Sequence, residues 1–315
     1  MSSPEAVLSL LPAATRRWLR HVLGDDSQIV AVQPLAGATS ATLHSLTVQQ
    51  RKPGQPPQQL VLRRFTQADW LAEEPDLAAH EAAALAHMAA ASLPTPLLVA
   101  VDETGAGCDV PAILMTRLPG RVVLQPADMA AWLQELAAAL VVIHAQPADF
   151  AWQFFPYNPA PVVPAWSADP ALWRAGLAQL SFAPPPAPLC FIHRDYHPTN
   201  VLWQGGQVSG VVDWVNACRG PAGVDVGHCR INLAQIHGLA AADQFLIAYQ
   251  RLAGQQFIYH PYWDLRCLFD FNPEQLTVYD GWPANGLHHL TPPLLGQRLE
   301  AYLASLLRRM AGAKG

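Results

Sequence analysis

The residues of this 315-residue chain whose types and spacing are best suited to chemistry lie in segment 190–214, CFIHRDYHPTNVLWQGGQVSGVVDW. In that segment Asn200 follows Asp195 by five positions, and Asp213 follows Asn200 by thirteen. Two short apolar or β-branched runs flank a Gly-Gly pair between Asn200 and Asp213, and this pattern predicts a β-hairpin. A hairpin would bring Asn200 and Asp213 back toward each other at the open end of two paired strands.

An amide oxygen and a carboxylate that meet in this way suit Mg²⁺, which usually takes only one or two carboxylate-type ligands and completes its octahedron with phosphate oxygens and water. Asn200 and Asp213 are therefore the predicted metal ligands. Asp195, beside that metal, could accept the proton of an attacking hydroxyl, while the rest of catalysis would be alignment and charge neutralisation. The predicted chemistry is Mg²⁺-assisted attack by a hydroxyl group.

The same segment carries a family resemblance. The pattern H-R-D-x-x-x-x-N, followed by a metal-binding Asp, occurs in protein kinases and in aminoglycoside phosphotransferases. The longer stretch HRDYHPTNVLW…GVVDW…GPAGVDVGH resembles the aminoglycoside phosphotransferase family of small-molecule kinases. Three features argue against a protein kinase. Asp213 is followed by Trp-Val rather than Phe-Gly, and no Ala-Pro-Glu occurs downstream. The segment GPAGVD also follows Asp213 too closely to leave room for an activation loop. Arg194 departs from the family, most members of which have Gly or Asn before the catalytic Asp.

This resemblance extends more loosely over residues 28 to 305 and implies a two-lobed, protein-kinase-like α+β fold with nucleotide and Mg²⁺ in the cleft. A small β-rich N-terminal lobe, 1–118, would bind the nucleotide, and a larger, mainly helical C-terminal lobe, 119–315, would hold the catalytic loop and the acceptor. The implied roles are base for Asp195, metal ligands for Asn200 and Asp213, and structural carboxylate for Asp225. The donor would be ATP or GTP, and the acceptor a hydroxyl-bearing small molecule.

Hydrophobic patterns predict the elements that must position these residues. In the first lobe they predict strands at Ile29–Val32, Ala41–Val48, Leu60–Phe65, 97–101 and 112–117, with an exposed hairpin loop at 50–59 and one helix from Leu71 to Ala91. In the second lobe they predict helices at 128–144, 241–252 and 294–310. The Pro- and Trp-rich stretch 146–189 has no clear pattern.

Nucleotide contacts are expected in the first lobe. The turn containing Gly37, Thr39 and Ser40 offers backbone N–H groups and hydroxyls to phosphate oxygens, although an ordinary hairpin turn would have the same composition. Residues 113–117, with Met115 and Arg117, resemble the inter-lobe hinge whose backbone reads the purine edge.

Only Lys52 and Lys314 are lysines, so Arg63 stands where the family has a nucleotide-contacting Lys. Its guanidinium can bind phosphate oxygens bidentately, and Arg64 is the alternative. Glu81 resembles the carboxylate that steadies this cation. Three other acids on the same predicted helix are alternatives to it: Glu73, Glu74 and Asp76.

Composition excludes other classes. The formal net charge is -5 and the pI about 6.1, and no stripe of Lys and Arg is present, so nucleic acid is not an expected partner. The apolar run near the N-terminus is too short to span a membrane and precedes its Arg residues, which is not the order of a secretory signal. We therefore expect a cytoplasmic protein with reduced thiols, because its five cysteines form no C-x-x-C pair.

Segment 257–282 is rich in aromatic and acidic residues and would suit a cationic or polyhydroxylated acceptor. The same mixture is also typical of amphipathic core helices with solvated acids.

Two other functions compete with the kinase hypothesis. One is a nucleotide-binding regulator without turnover, and the other is a zinc hydrolase built on His193 and His197. The zinc pair is disfavoured because no third ligand follows and Pro198 argues against a helix that presents both rings. The sequence predicts no particular oligomeric state.

Overall fold

The computed structural model describes residues 9–35, 41–50, 54, 56–270 and 275–312. The chain divides into two compact units. The first contains Met1–Ala90 and Pro94–Leu118, and the second contains Ala91–Leu93 and Pro119–Gly315.

The described residues of the first unit form an antiparallel sheet and three helices. Helix α1, Ala13–Leu23, precedes strands β1, Ser27–Leu35, β2, Thr42–Gln50, and β3, Gln58–Arg64. Helices α2, Ala68–Glu73, and α3, Leu77–Met88, follow, and then strands β4, Leu98–Asp102, and β5, Ala112–Thr116. The strand order is β1-β2-β3-β5-β4. The predicted strands are confirmed, and the antiparallel pairing of β2 with β3 confirms the hairpin around 50–59, although residues 51–53 and 55 lie outside the described part.

The apolar face of this sheet forms the core of the first unit. Trp18 and Leu19 of α1 pack against Leu46, Leu62 and Leu114, one residue from each of β2, β3 and β5. Burial of such side chains contributes roughly 1.5–3 kcal/mol each. The core therefore fixes strand β3, which carries Arg63.

The prediction of one helix from Leu71 to Ala91 is wrong. The chain breaks at Glu74-Pro75-Asp76 and forms α2 and α3 instead. Proline disfavours the helical region for the residue before it, and Glu74 accordingly has φ -129° and ψ 82°.

The second unit is mainly helical. Its strands are β6, Arg121–Val122, β7, Leu189–Ile192, β8, Val201–Gln204, β9, Gln207–Val211, and β10, Cys218–Pro221. They form a sheet β6-β8-β9 and a pair β7-β10. Its helices are α4, Met129–His144, α5, Pro170–Leu180, α6, Ala222–His237, α7, Leu239–Ala253, α8, Pro261–Asp270, α9, Gly281–Ala284, and α10, Pro292–Gly312. The three predicted helices are confirmed as α4, α7 and α10.

Helix α6 lies at the centre of this unit, packed against α7, α8 and α10. Its approach to α8 requires glycine at two positions four residues apart. A Cβ on Gly223 would lie 2.7 Å from the Trp263 ring, and one on Gly227 would lie 2.9 Å from Asp264 Cα. Because real Cβ atoms do not approach that closely, only glycine permits this packing.

The unassigned stretch 146–189 contains α5, and aromatic packing orders part of the rest. Trp173 of α5 lies edge-on between Trp166 and Phe269, with ring centroids 5.3 Å away on each side. Such pairs contribute about 0.5–1.5 kcal/mol beyond their buried area.

The five cysteines are free thiols, as predicted. Burial raises the pKa of the Cys190 and Cys218 thiols to about 12, so neither is a nucleophile at neutral pH. Within the described ranges, no helix combines the length and the apolar character needed to cross a membrane.

Candidate active site

The predicted β-hairpin is present as β8 and β9. Gln204 pairs with Gln207, which leaves Gly205 and Gly206 as a two-residue turn with φ 60° and 83°. Positive φ at both central positions defines the turn whose twist matches that of the strands, and glycine adopts it without strain. The Gly-Gly pair therefore predicted the turn, whereas a β-bulge between Leu202 and Trp203 shifts the pairing by one residue toward the open end.

At the open end of the hairpin the structure brings Asn200 and Asp213 together. Val212 donates its backbone N–H to the carbonyl oxygen of Asn200 at 3.0 Å, so Asp213 is one residue beyond the partner of Asn200. Asp213 has φ 68°, a left-handed conformation that Asp tolerates better than most residues. The two predicted metal ligands thus lie on neighbouring backbone at one strand end.

Asn200 also contacts Asp195. Its Nδ2 donates to the backbone oxygen of Asp195 at 3.0 Å and to the carboxylate Oδ2 at 3.2 Å. The amide oxygen of Asn200 is then the atom that remains suited to a cation. Asn200 is therefore hydrogen-bonded to Asp195 through its side chain and to Val212, the residue before Asp213, through its backbone oxygen.

Two histidines lie at the other oxygen of Asp195. His228 Nε2 lies 3.1 Å from Asp195 Oδ1, and His197 Nε2 lies 3.7 Å from the same oxygen. Burial alone would raise the pKa of the Asp195 carboxyl, but its electrostatic interactions with His197, His228 and His193 hold that pKa well below its usual range. Burial lowers the pKa of His197 to about 4, so its ring is neutral at pH 7.

Sequence reasoning missed His228. His228 is the last residue of the motif GPAGVDVGH, in which only Asp225 was given a predicted role. Positions three apart lie on the same face of a helix, and Asp225 and His228 are both in α6. The spacing was thus a usable signal that the helix holding Asp225 would present a second side chain to the same loop.

Asp225 holds the backbone of residues 193–197, the predicted catalytic loop. Its fully buried carboxylate accepts hydrogen bonds from the backbone N–H of His193 at 2.7 Å and of Arg194 at 2.6 Å, and from His144 Nε2 at 3.0 Å. Buried charge is costly unless it is satisfied in this way. These contacts agree with the structural part expected of Asp225.

His193 does not form a metal pair with His197. Its Nε2 lies 3.0 Å from the carbonyl oxygen of Val212, and its Nδ1 accepts from the backbone N–H of Asp195 at 3.3 Å. Both ring nitrogens of His193 are therefore used to join the catalytic loop to the hairpin.

Arg194 has φ 66°, which explains why Gly or Asn is common at this position in the family that the sequence resembles. Its guanidinium stacks over Tyr157 at 3.7 Å and Phe155 at 4.2 Å, and it donates to the Phe155 carbonyl oxygen at 2.6 Å. Cation–π contacts contribute about 0.5–2 kcal/mol each. They compensate for the unfavourable backbone and attach segment 154–157 to the catalytic loop.

In the first unit the structure distinguishes Arg63 from Arg64. Arg63 Nη1 lies 3.0 Å from Glu81 Oε1, and both side chains are almost fully buried. Arg64 instead pairs with Asp109 at 2.9 and 3.0 Å. Arg63 thus forms an ion pair with Glu81, the carboxylate expected beside it, while its contact with a nucleotide stays a prediction.

The sequence profile of the phosphotransferase enzyme family matches residues 31–265, more than half of the chain. The chain belongs to this family. The resemblance drawn from the motif is thereby confirmed. Homoserine kinase of Methylocella silvestris is 34% identical over 170 residues, which make up 46% of this chain and 50% of that protein. The match thus spans about half the length of this curated relative.

Solved structures show that this phosphotransferase has the fold of its family. A Ralstonia eutropha JMP134 protein assigned to the aminoglycoside phosphotransferases has a TM-score of 0.61 at 16% identity, over 94% of this chain and 96% of its own. A thermostable variant of aminoglycoside phosphotransferase APH(4)-Ia, in ternary complex with ADP and hygromycin B, has a TM-score of 0.59 at 18% identity, over 94% and 98%. At such identities the likeness shows the fold alone, and the predicted protein-kinase-like α+β fold is confirmed.

The structure gives less information on the other residues predicted to contact the nucleotide. Gly37, Thr39 and Ser40 lie outside the described residues. Met115 is buried in β5 between β3 and β4, and Arg117 donates from Nη1 to Ser45 Oγ at 3.0 Å. The hinge assignment rests on backbone groups and stays a prediction.

Residues 261–269 of segment 257–282 are buried in the second unit, in agreement with the core-helix alternative, but two of its acids are paired rather than solvated. Asp264 is buried and bound by Arg230, and Asp270 pairs with Arg266. Phe271 and Glu274 lie outside the described residues.

Among the described aromatic residues of this segment, Tyr279 lies near Asp195 and its neighbour His197. Its ring lies 6.0 Å from that of His197. Burial, and then the negative charges of Asp195, Asp213 and Asp280, raise the pKa of its phenol. The acceptor interpretation of this segment stays a prediction.

Proposed function

We propose that the chain is a Mg²⁺-dependent small-molecule kinase that transfers the γ-phosphoryl group of ATP or GTP to a hydroxyl. Asp195 accepts the proton of that hydroxyl, Asn200 and Asp213 hold Mg²⁺, and Arg63, steadied by Glu81, binds phosphate oxygens. The observation that carries the proposal is the convergence of Asp195, Asn200 and Asp213 at the open end of the β8–β9 hairpin.

The donor set supports Mg²⁺. An amide oxygen and a carboxylate on adjacent backbone are hard oxygen ligands, and they leave room for phosphate oxygens and water. The bound ion would neutralise charge on the phosphate oxygens. Asp195 serves as base because it is ionised at neutral pH and its side chain is 26% exposed, whereas its histidine neighbours are buried. An incoming hydroxyl can therefore reach the carboxylate.

The relatives support an alcohol acceptor. Homoserine, in the name of the matched kinase, and hygromycin B, in the neighbouring structure, both carry hydroxyl groups. A fold of this kind does not choose among acceptors, so the identity of the alcohol must come from a screen.

A two-stage assay tests the proposal. Nucleotide with Mg²⁺ is expected to raise the melting temperature of the protein more than nucleotide alone, because a ligand that binds the folded state stabilises it. A screen of hydroxyl compounds is then expected to yield acceptor-dependent release of ADP or GDP. Nucleotide binding without transfer to any alcohol would instead favour the regulator, and turnover without nucleotide would favour a hydrolase.

Arg63→Ala is expected to raise the KM for the nucleotide by roughly ten- to a hundredfold, because charge-assisted hydrogen bonds contribute about 1.5–3 kcal/mol. Arg64→Ala is the matched control. Arg64 lies next to Arg63 in β3, but its guanidinium pairs with Asp109 instead of Glu81. Arg63→Lys keeps a cation beside Glu81 and should give a smaller rise. Steady-state kinetics measure all three, and an unchanged KM in Arg63→Ala would remove Arg63 from the nucleotide site.

A further inference from the structure

We propose that Asp195, His197 and His228 form a second cation site, which binds a borderline-soft divalent transition-metal ion such as Zn²⁺. The ligand atoms of these three residues all lie within 4.8 Å of one another. His228 Nε2 is 3.1 Å and His197 Nε2 is 3.7 Å from Asp195 Oδ1. Ligands held about 2.0–2.1 Å from a tetrahedral Zn²⁺ lie roughly 3.4 Å apart, so the cluster has the required spacing.

The ligand types select against Mg²⁺ at this position. Two imidazoles and one carboxylate are a common ligand set for Zn²⁺ sites that keep an open coordination position. Mg²⁺ prefers oxygen ligands, which the pair Asn200 and Asp213 offers. The two sites therefore share a neighbourhood but differ in the softness of their donors.

Burial closes one side of the cluster and leaves the other open. The side chains of His197 and His228 are 9% and 7% exposed, whereas that of Asp195 is 26% exposed. A metal bound to the three residues would thus be enclosed on the imidazole side and would keep a water on the exposed side.

The state of His197 is an independent observation. Its Nδ1 is buried without a hydrogen-bond partner among the described residues, and its Nε2 is too far from Asp195 for a hydrogen bond. Buried polar groups are normally paired, and each one left unpaired costs free energy. A cation bound at Nε2 would give this buried ring a polar partner.

A metal on Asp195 has a consequence that rests on the proposed function. The ion would occupy the oxygen that takes the proton of the acceptor, so Zn²⁺ is expected to inhibit transfer while Mg²⁺ supports it. Binding of Zn²⁺ to the protein does not depend on any activity, and it is the quantity to measure first.

The experiment uses the full chain, freed of metal by dialysis and without nucleotide. Co²⁺ serves as the spectroscopic probe, and the affinity for Zn²⁺ is measured by competition with a chromophoric chelator. We expect one equivalent of Co²⁺ to give the visible absorption of a four- or five-coordinate ion. His197→Gln and His228→Gln are each expected to weaken Zn²⁺ binding by about 100-fold, because each removes one nitrogen ligand.

The matched control is the double variant His288→Gln and His289→Gln, which removes two exposed histidines and should leave the affinity unchanged. Equal loss in the control would place the ion at the surface and overturn the proposal. So would a wild-type Co²⁺ spectrum that stays that of the hydrated ion, a result independent of how the variants fold. If the protein binds Zn²⁺ but transfers no phosphate, the metal site stands and the proposed kinase function is refuted. If it transfers phosphate but binds no Zn²⁺, the kinase function stands and the metal site is refuted.

Discussion

Asp195→Asn is expected to lower kcat by about two to four orders of magnitude, the usual contribution of a general base, and to leave the affinity for Mg²⁺-nucleotide nearly unchanged. The amide has the shape of the carboxylate but cannot take the proton of the acceptor. Single-turnover rates and calorimetric titration of Mg²⁺-nucleotide separate the two effects.

Asp149→Asn, at an exposed position of the second unit, is the control for the chemical change and should leave kcat as it is. The melting temperature of Asp195→Asn should stay close to that of the wild type, since Asn can still accept from Asn200 Nδ2. A kcat within a few-fold of wild type would assign the base to another group.

Asp213→Ala is expected to abolish transfer and to remove the effect of Mg²⁺ on nucleotide affinity, because it deletes the charged metal ligand. Alanine is strained at φ 68° by about 1–2 kcal/mol, so a modest loss of stability is also expected.

Asp213→Asn separates these two effects. Asn tolerates the left-handed backbone and keeps one oxygen, but it lacks the charge. This variant should fold like the wild type and need a higher Mg²⁺ concentration for half-maximal turnover. Rates measured over a Mg²⁺ series test the assignment, and a variant with wild-type Mg²⁺ dependence would contradict it.

Local patterns were sufficient for the turn of the β8–β9 hairpin. The Gly-Gly pair predicted this two-residue turn, but a β-bulge between Leu202 and Trp203 shifts the pairing by one residue before Asn200 is reached. The pairing of Arg63 with Glu81 was expected from the family resemblance and not from the period of a strand or a helix, since Glu81 lies in α3, the second helix after β3.

Contacts between elements distant in the chain were not predictable in the same way. His228 of α6 reaches Asp195 in an earlier loop, and the two glycines that let α6 approach α8 have meaning only once both helices are placed. Segment 257–282 left two interpretations open for a related reason. Its acids Asp264 and Asp270 are paired with arginines rather than solvated, and Arg230, the partner of Asp264, lies in another helix. The break at Pro75 could have been predicted, since the rule for residues before proline is local.

The buried carboxylate of Asp225 has a consequence for how fast the enzyme can work. Because it anchors two successive amides just ahead of Asp195, the proposed base is preorganised by the fold rather than by the arriving substrate. No entropy of loop ordering then has to be spent at each turnover, and substrate binding energy stays available for aligning the reacting groups.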